Sequence, residues 1–222
     1  MLRAHDLFFR YDDGAGVLSG FSADFAAGEV TYICGPSGSG KTTLSLLLAE
    51  MMEPQSGEIL LTPDEAPRAT MVLQFAEELF LTDSVRQEIE LLTDTKRIEA
   101  AHQHLKSCGL CLPEIAERDP FTLSFGQARL LAISIQCAQD TPVYILDEPT
   151  IGLDEVNMLR VSVLLRALTA RGKGVIVVTH DPELIESLPG RVMILEQGTL
   201  AWHGPSAEFL ATSSLRSRAA FE

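Results

Sequence analysis

The chain has 222 residues, of which 46% are hydrophobic and 22% charged, the balance of an ordinary soluble globular protein of one α/β domain. Its formal net charge of −14 disfavours nucleic acid and anionic lipid as direct partners, because a phosphate backbone repels so acidic a surface. The most apolar stretch, Leu44–Met52, is far short of the ~20 residues that span a bilayer, and Met1–Asp6 lacks the apolar centre of a secretory signal, so the cytoplasm is the expected compartment.

Residues 1–30 alternate and turn, with Asp12-Asp-Gly-Ala-Gly16 as the tip of a hairpin, and predict antiparallel strands beside the core. From there, short apolar runs recur at Val30–Cys34, Met71–Leu73, Val143–Leu146, Val175–Val178 and Val192–Leu195. Runs of this kind suit strands covered on both faces, as in a parallel sheet. Helical candidates, Thr42–Met52 and Asn157–Ala170, lie between them, and the alternation predicts a P-loop-type α/β core over 31–74 and 143–205. Residues 75–142 carry helical patterns without a convincing strand and read as a helical subdomain inserted between core strands. Residues 206–222 read as one helix and a polar tail. Cys108 and Cys111 have the spacing of a redox or metal pair, but no further ligands lie near, and small apolar helix positions are the simpler reading. His5, His102, His104 and His203 read as surface or packing residues.

The chemistry starts directly after the first core strand. Gly35-Pro36-Ser37-Gly38-Ser39-Gly40-Lys41-Thr42 matches G-x-x-x-x-G-K-[ST]. Its glycines let consecutive backbone N–H groups curl around phosphate oxygens, and the following helix offers its positive end to the same charge. Lys41 reaches the β- and γ-phosphates, and the Thr42 hydroxyl is placed to ligate Mg²⁺. Further on, Val143–Leu146 ends in Asp147 and Glu148. Asp147 can hold Mg²⁺ through its water shell, and Glu148 can polarise an attacking water.

Other segments carry a resemblance. Leu123-Ser-Phe-Gly-Gln127 with Arg129 resembles the signature of ATP-binding-cassette (ABC) ATPases, usually L-S-G-G-Q. Ile151-Gly-Leu-Asp154 resembles the family's D-loop, His180 its switch histidine and Gln74 its Q-loop glutamine, all in the family's order. The resemblance implies ATP held between two cassettes. Residues Gly35–Thr43 of one would hold the phosphates, while Ser124, Gly126 and Gln127 of the other would touch the γ-phosphate. It also implies Glu148 as general base, His180 as a bridge between γ-phosphate and water, and Gln74 on Mg²⁺ or the water. Asp154 would communicate between sites, and Tyr11 would stack on adenine, unless Tyr11 only packs on its hairpin face. Phe125 stands where glycine is usual, and the expectation is that its ring packs aside.

The stretch Gln74-Phe-Ala-Glu-Glu-Leu-Phe-Leu-Thr-Asp-Ser-Val85 with Glu88-Ile89, and the entry Phe9–Leu18, are similar to the energy-coupling-factor (ECF) importers of vitamins and metal ions. That group usually has proline where Ala76 stands, and many of its members carry a longer C-terminal extension. The similarity implies a membrane subunit docked in a groove near residues 74–90, for which Phe75, Leu79, Phe80 and Leu81 are either the apolar floor or core. An exporter subunit, a soluble ABC ATPase and a P-loop kinase are the competing readings. The kinase has no use for the signature, and the acidic charge opposes the nucleic-acid role.

Overall fold

The computed structural model describes residues 1–12, 14–62 and 69–220, and Asp13 of the expected hairpin tip lies outside the described residues. In chain order the elements are β1 (Leu2–Arg10), β2 (Gly16–Phe25), β3 (Val30–Cys34), α1 (Lys41–Leu48), β4 (Ser56–Leu61), β5 (Ala69–Val72), α2 (Val85–Glu90), α3 (Thr95–Ser107), α4 (Leu112–Ile115), α5 (Phe125–Gln136), β6 (Val143–Asp147), α6 (Glu155–Ala170), β7 (Gly174–Val178), α7 (Pro182–Ser187), β8 (Arg191–Glu196), β9 (Thr199–Pro205), α8 (Ser206–Ala211) and α9 (Ser213–Arg218).

The apolar runs do form the main sheet, in the order β5-β6-β7-β3-β8-β9. The strands from β5 to β8 pair in parallel, and β9 turns back antiparallel on β8. Every residue of β3, β6 and β7 is buried, as a sheet covered on both faces requires. The strand β3 runs between β7 and β8, with Tyr32 opposite both Val177 and Val192. Its phenol, buried, donates to the carbonyl of Leu188 at 2.6 Å.

A second, antiparallel sheet has the order β2-β1-β4. In β1, Leu2, Ala4, Leu7 and Phe9 face inward. The expected antiparallel pairing of residues 1–30 is present, but β4 corrects the sequence reading. Ser56–Leu61 belongs to this sheet, with Leu61 opposite Leu2, and not to the α/β core. The helix after the phosphate loop also ends earlier than expected, at Leu48. Glu50 adopts a left-handed φ of 55°, and the N–H groups of Glu50 and Met51 bond back to Leu47 and Leu46, a Schellman stop.

The main sheet separates two apolar cores. One joins its outer residues Ile33, Ile145, Ile176 and Val178 to α1 and to Leu2, Leu18 and Phe21 of the antiparallel sheet. The other joins the alternate residues Tyr32, Tyr144, Leu146 and Val177 to α3, α5, α6 and the C-terminal helices. Residues 75–142 hold helices and 3₁₀ turns, with no strand among the described residues. The C-terminal stretch, expected as one helix, is two, because Thr212 between them is extended at φ −107° and ψ 104°. These helices are anchored: Phe209 is fully buried, 6.3 Å from the Trp202 ring. Replacing Phe209 by alanine is expected to cost about 3–5 kcal/mol of stability in urea unfolding. A loss under about 1 kcal/mol would mean that α8 is only draped on the surface.

Candidate functional site

The phosphate loop leaves β3 at Cys34 and enters α1 at Lys41. Gly35 has a φ of 145°, and a side chain there would run into the carbonyl of Leu195, so the backbone admits only glycine. The turn is braced internally by Ser39 N–H on the Pro36 carbonyl at 3.1 Å. From outside, the Gly198 N–H donates to the Ser39 carbonyl at 3.2 Å. α1 has neither a side-chain cap nor an acidic residue in its first turn, which leaves its positive end open to an anion. The buried Ser39 hydroxyl has no hydrogen-bond partner among the described residues, an unmet donor that a phosphate oxygen would satisfy. A recess of about 460 Å³ borders the loop, lined by Pro36, Ser37, Gly38, Ser39, Glu196 and Gln197 among others. A larger recess of about 620 Å³ lies elsewhere, beside Arg3, Asp24 and Arg191, and contains none of the candidate site residues.

Lys41 curls back on the loop, its ammonium donating to the carbonyls of Gly35 at 2.7 Å and Pro36 at 3.0 Å. Burial lowers its pKa, and the carboxylate of Glu148 is the chief opposing influence. Next to it, the Thr42 hydroxyl donates to Asp147 Oδ2 at 3.1 Å. This pair of hard oxygen ligands suits Mg²⁺. Burial raises the pKa of Asp147, opposed by the Thr42 hydrogen bond and by Lys41.

Glu148 follows directly and is held in an uncommon backbone conformation, φ 48°. Its N–H donates to the Val178 carbonyl at 2.9 Å, and its own carbonyl accepts from Arg129 at 2.6 Å. The side chain meets His180, with Nδ1 2.6 Å from Glu148 Oε1. Burial raises the carboxyl pKa of Glu148, and the His180 hydrogen bond pulls it back down. Thr150, just beyond, donates to Asp181 Oδ2 at 2.7 Å, so the segments carrying Glu148 and His180 are tied twice. The Asp181-Pro182 pair is legible as a helix start, since Asp181 also accepts from the N–H groups of Glu183 and Leu184.

Arg129 is the residue whose importance sequence reading missed. It is wholly buried. Nε donates to the Pro149 carbonyl at 3.3 Å, Nη1 to the Gln74 carbonyl and, at 2.7 Å, to the Glu77 carboxylate, and Nη2 to the Glu148 carbonyl. Gln74 is thus fixed by its main chain beside the end of β6 that leads to Glu148, because Val72 of the edge strand β5 pairs with Leu146. Tyr11 also reaches the site: its hydroxyl is 3.2 Å from Thr43 Oγ1 while its half-exposed ring packs edge-on against Phe9 at 5.1 Å.

The structure brings Tyr11, Lys41, Thr42, Thr43, Asp147, Glu148 and His180 together. Ser124, Gly126, Gln127 and Asp154 make their contacts elsewhere. Ser124 and Gln127 form a reciprocal capping box at the start of α5, with bonds of 3.3 and 3.1 Å. Asp154 caps α6, accepting the Asn157 N–H at 2.8 Å. The apolar residues after Gln74 divide between the two readings left open for them. Phe80 is core, whereas Phe75, Leu79 and Leu81 are 46%, 55% and 81% exposed. Glu88, buried, accepts from both N–H groups and the hydroxyl at Leu81–Thr82 and so shapes that surface. Cys108 is buried as expected, but Cys111 is exposed.

Residues 18–151 match the family described as ABC transporter. The putative HMP/thiamine import ATP-binding protein of Bacillus subtilis is 33% identical over 88% of the chain, which spans 37% of that protein's length. The energy-coupling factor transporter ATP-binding protein EcfA of Methanocaldococcus jannaschii is 28% identical over 94% of the chain and 80% of its own length. Among solved structures, cbiO1 from Clostridium perfringens, part of the ABC transporter complex cbiONQ, superposes with a TM-score of 0.82 at 27% identity, covering 96% of this chain and 91% of that one.

Arg129→Ala is expected to destabilise the fold by about 3–5 kcal/mol, because it strands the buried Glu77 carboxylate and frees the strained Glu148 backbone. Chemical unfolding measures the loss, and a change below about 1 kcal/mol would remove Arg129 from this role.

Proposed function

The chain belongs to the ABC transporter family, as an ATP-binding, ATP-hydrolysing cassette, and from that premise we propose that it powers an ECF-type importer of a vitamin or metal ion. The observation that carries the ATPase mechanism is the cluster behind the phosphate loop. There Thr42 touches Asp147, and Glu148 touches His180. Support for the importer comes from the exposed Phe75, Leu79 and Leu81 directly after Gln74, together with the import and energy-coupling names of the relatives.

In this reading the N–H groups of the loop and of the first turn of α1 bind the phosphates of ATP, and Tyr11 stacks on the adenine. Lys41 exchanges its two loop carbonyls for phosphate oxygens. Its ammonium is already stripped of much of its water by burial, which strengthens the new contact. Mg²⁺, when bound, would neutralise charge on the phosphate oxygens, and Thr42, Asp147 and Gln74 are the residues that would hold it. Glu148 takes a proton from the attacking water. With Oε1 committed to His180, the water addresses Oε2, and the raised carboxyl pKa makes Glu148 a better proton acceptor than an exposed glutamate. His180, largely exposed, orients the carboxylate and is free to reach the γ-phosphate.

A second cassette completes the site. Ser124, Gly126 and Gln127 of one subunit contact the γ-phosphate bound by the other, and Asp154 links the two sites. Ser124 and Gln127 are bound to each other in the capping box, so contact with the phosphate requires them to share or break those bonds. An integral membrane subunit docks on the apolar surface at residues 74–90 and holds the protein at the cytoplasmic face of the membrane. No helix among the described residues is long and apolar enough to cross a membrane itself.

Glu148→Gln is expected to retain ATP binding, trap a closed dimer and lower turnover by at least about 100-fold; normal turnover would remove Glu148 as the base. Ser124→Ala is expected to cost about 1 kcal/mol of helix capping and to impair hydrolysis much more, with nucleotide binding by the monomer intact. Weak binding by the monomer would contradict the cross-subunit role. Affinity purification from detergent-solubilised membranes is expected to recover an integral membrane subunit, and co-purifying RNA without one would sink the transport reading.

A further inference from the structure

Phe125 occupies the first helical position of α5, and its ring is folded sideways onto Gly152. A β-carbon at Gly152 would stand 2.9 Å from Phe125 Cε1 and 3.3 Å from Cζ, so the ring rests where a side chain would otherwise be. Gly152 has a φ of 74°, which other residues rarely adopt, so both the backbone and the ring demand glycine there. A second contact lies alongside. The Asn157 side-chain amide closes over Gly126, and Asn157 is itself fixed by its backbone N–H donating to Asp154 Oδ1 at 2.8 Å and by its side-chain Oδ1 accepting from Arg160 at 3.0 Å. At its start the turn of residues 151–154 is held by Ile151 N–H on the Glu148 carbonyl at 3.3 Å and Leu153 N–H on the Thr150 carbonyl at 3.0 Å, and at its end the Asp154 carbonyl accepts from Met158 N–H at 2.9 Å. An aromatic ring packed on the glycine in the middle of this turn, between its bonded ends, restricts it.

We infer that Phe125 is a positioning residue whose ring clamps Gly152, joining the signature turn and the D-loop of one chain into a single edge that a second cassette meets. The inference rests on the two-subunit site proposed above. With glycine at position 125 the turn would lack this lid and would have to be ordered when the subunits close. With phenylalanine the ordering is done on folding, so both elements dock together and less conformational entropy is lost at closure. The ring remains 47% exposed, which leaves it an outer surface without removing it from the turn.

The test compares the full chain with Phe125→Ala and Phe125→Tyr, with thermal melts confirming that each is folded. Amide hydrogen exchange at Ile151–Asp154 is read in the nucleotide-free protein, and ATPase kinetics are read separately. In Phe125→Ala, exchange is expected to quicken roughly five- to tenfold, and kcat to fall by a similar factor while KM for ATP stays near its original value. Phe125→Tyr, which keeps the ring, is expected to restore both. Unchanged exchange in Phe125→Ala overturns the clamp, whatever the ATPase does; a raised kcat also overturns it, because the ring would then be hindering closure. Quickened exchange combined with an ATPase rate strictly proportional to protein concentration would keep the clamp and overturn the two-subunit reading on which its purpose rests.

Discussion

A guanidinium group with no exposed surface sits where α5, the turn after β5 and the end of β6 meet. Burying such a charge costs several kcal/mol unless its donors are met, and in Arg129 every nitrogen has an acceptor. Three of those acceptors are main-chain carbonyls, of Gln74, Glu148 and Pro149. The charge therefore does more than pair with Glu77. It fixes the backbone at and just after the candidate catalytic carboxylate, and that of Gln74 beyond the neighbouring strand. The uncommon φ of Glu148 is sustained because its N–H and its carbonyl are both taken, one by β7 and one by Arg129.

That placement gives the helical region a rigid connection to the chemistry. The main sheet divides the interior: the phosphate loop's helix α1 packs on the side of the antiparallel sheet, and α5 packs on the other side. Arg129 reaches from α5 to the segments that leave the ends of β5 and β6. Glu77, its carboxylate partner, lies between Phe75 and Leu79, the exposed apolar residues proposed to receive a membrane subunit. A displacement of that surface would be carried through a charged hydrogen bond to the carbonyl of Glu148, the proposed general base, without needing the soft packing of the subdomain to transmit it.

The core strands were legible because strands buried on both faces leave continuous Val/Ile/Leu runs, as in Val143–Leu146 and Val175–Val178. The phosphate loop was legible because its geometry demands glycine, as Gly35 illustrates. Strand β4 was not legible, because Ser56–Leu61 is mostly exposed and owes its place to β1, distant in sequence. The early end of α1 depended on the left-handed turn at Glu50, which no glycine announced. Of the site, Lys41, Thr42, Asp147 and Glu148 could be named from their types and spacing, whereas Tyr11, Gln74, Ser124, Gly126, Gln127, Asp154 and His180 were named from the family resemblance. The contacts could not: the pairing of Arg129 with Glu77 joins residues from separate segments, and the fold of the Phe125 ring onto Gly152 depends on a turn's shape.

The strand order also fixes when the nucleotide site can exist. β3, which launches the phosphate loop, is flanked by β7 and β8, and both neighbours come from the last third of the chain. During synthesis, residues Val30–Cys34 emerge long before Gly174–Val178 and Arg191–Glu196, and the turn that braces Ser39 comes later still, at Gly198. The loop proposed to hold ATP is thus assembled only after β7 and β8 have been made, although its own residues come long before theirs. A nascent chain cannot be stabilised by nucleotide before β7 and β8 have emerged, and its unpaired apolar strands must be shielded until then.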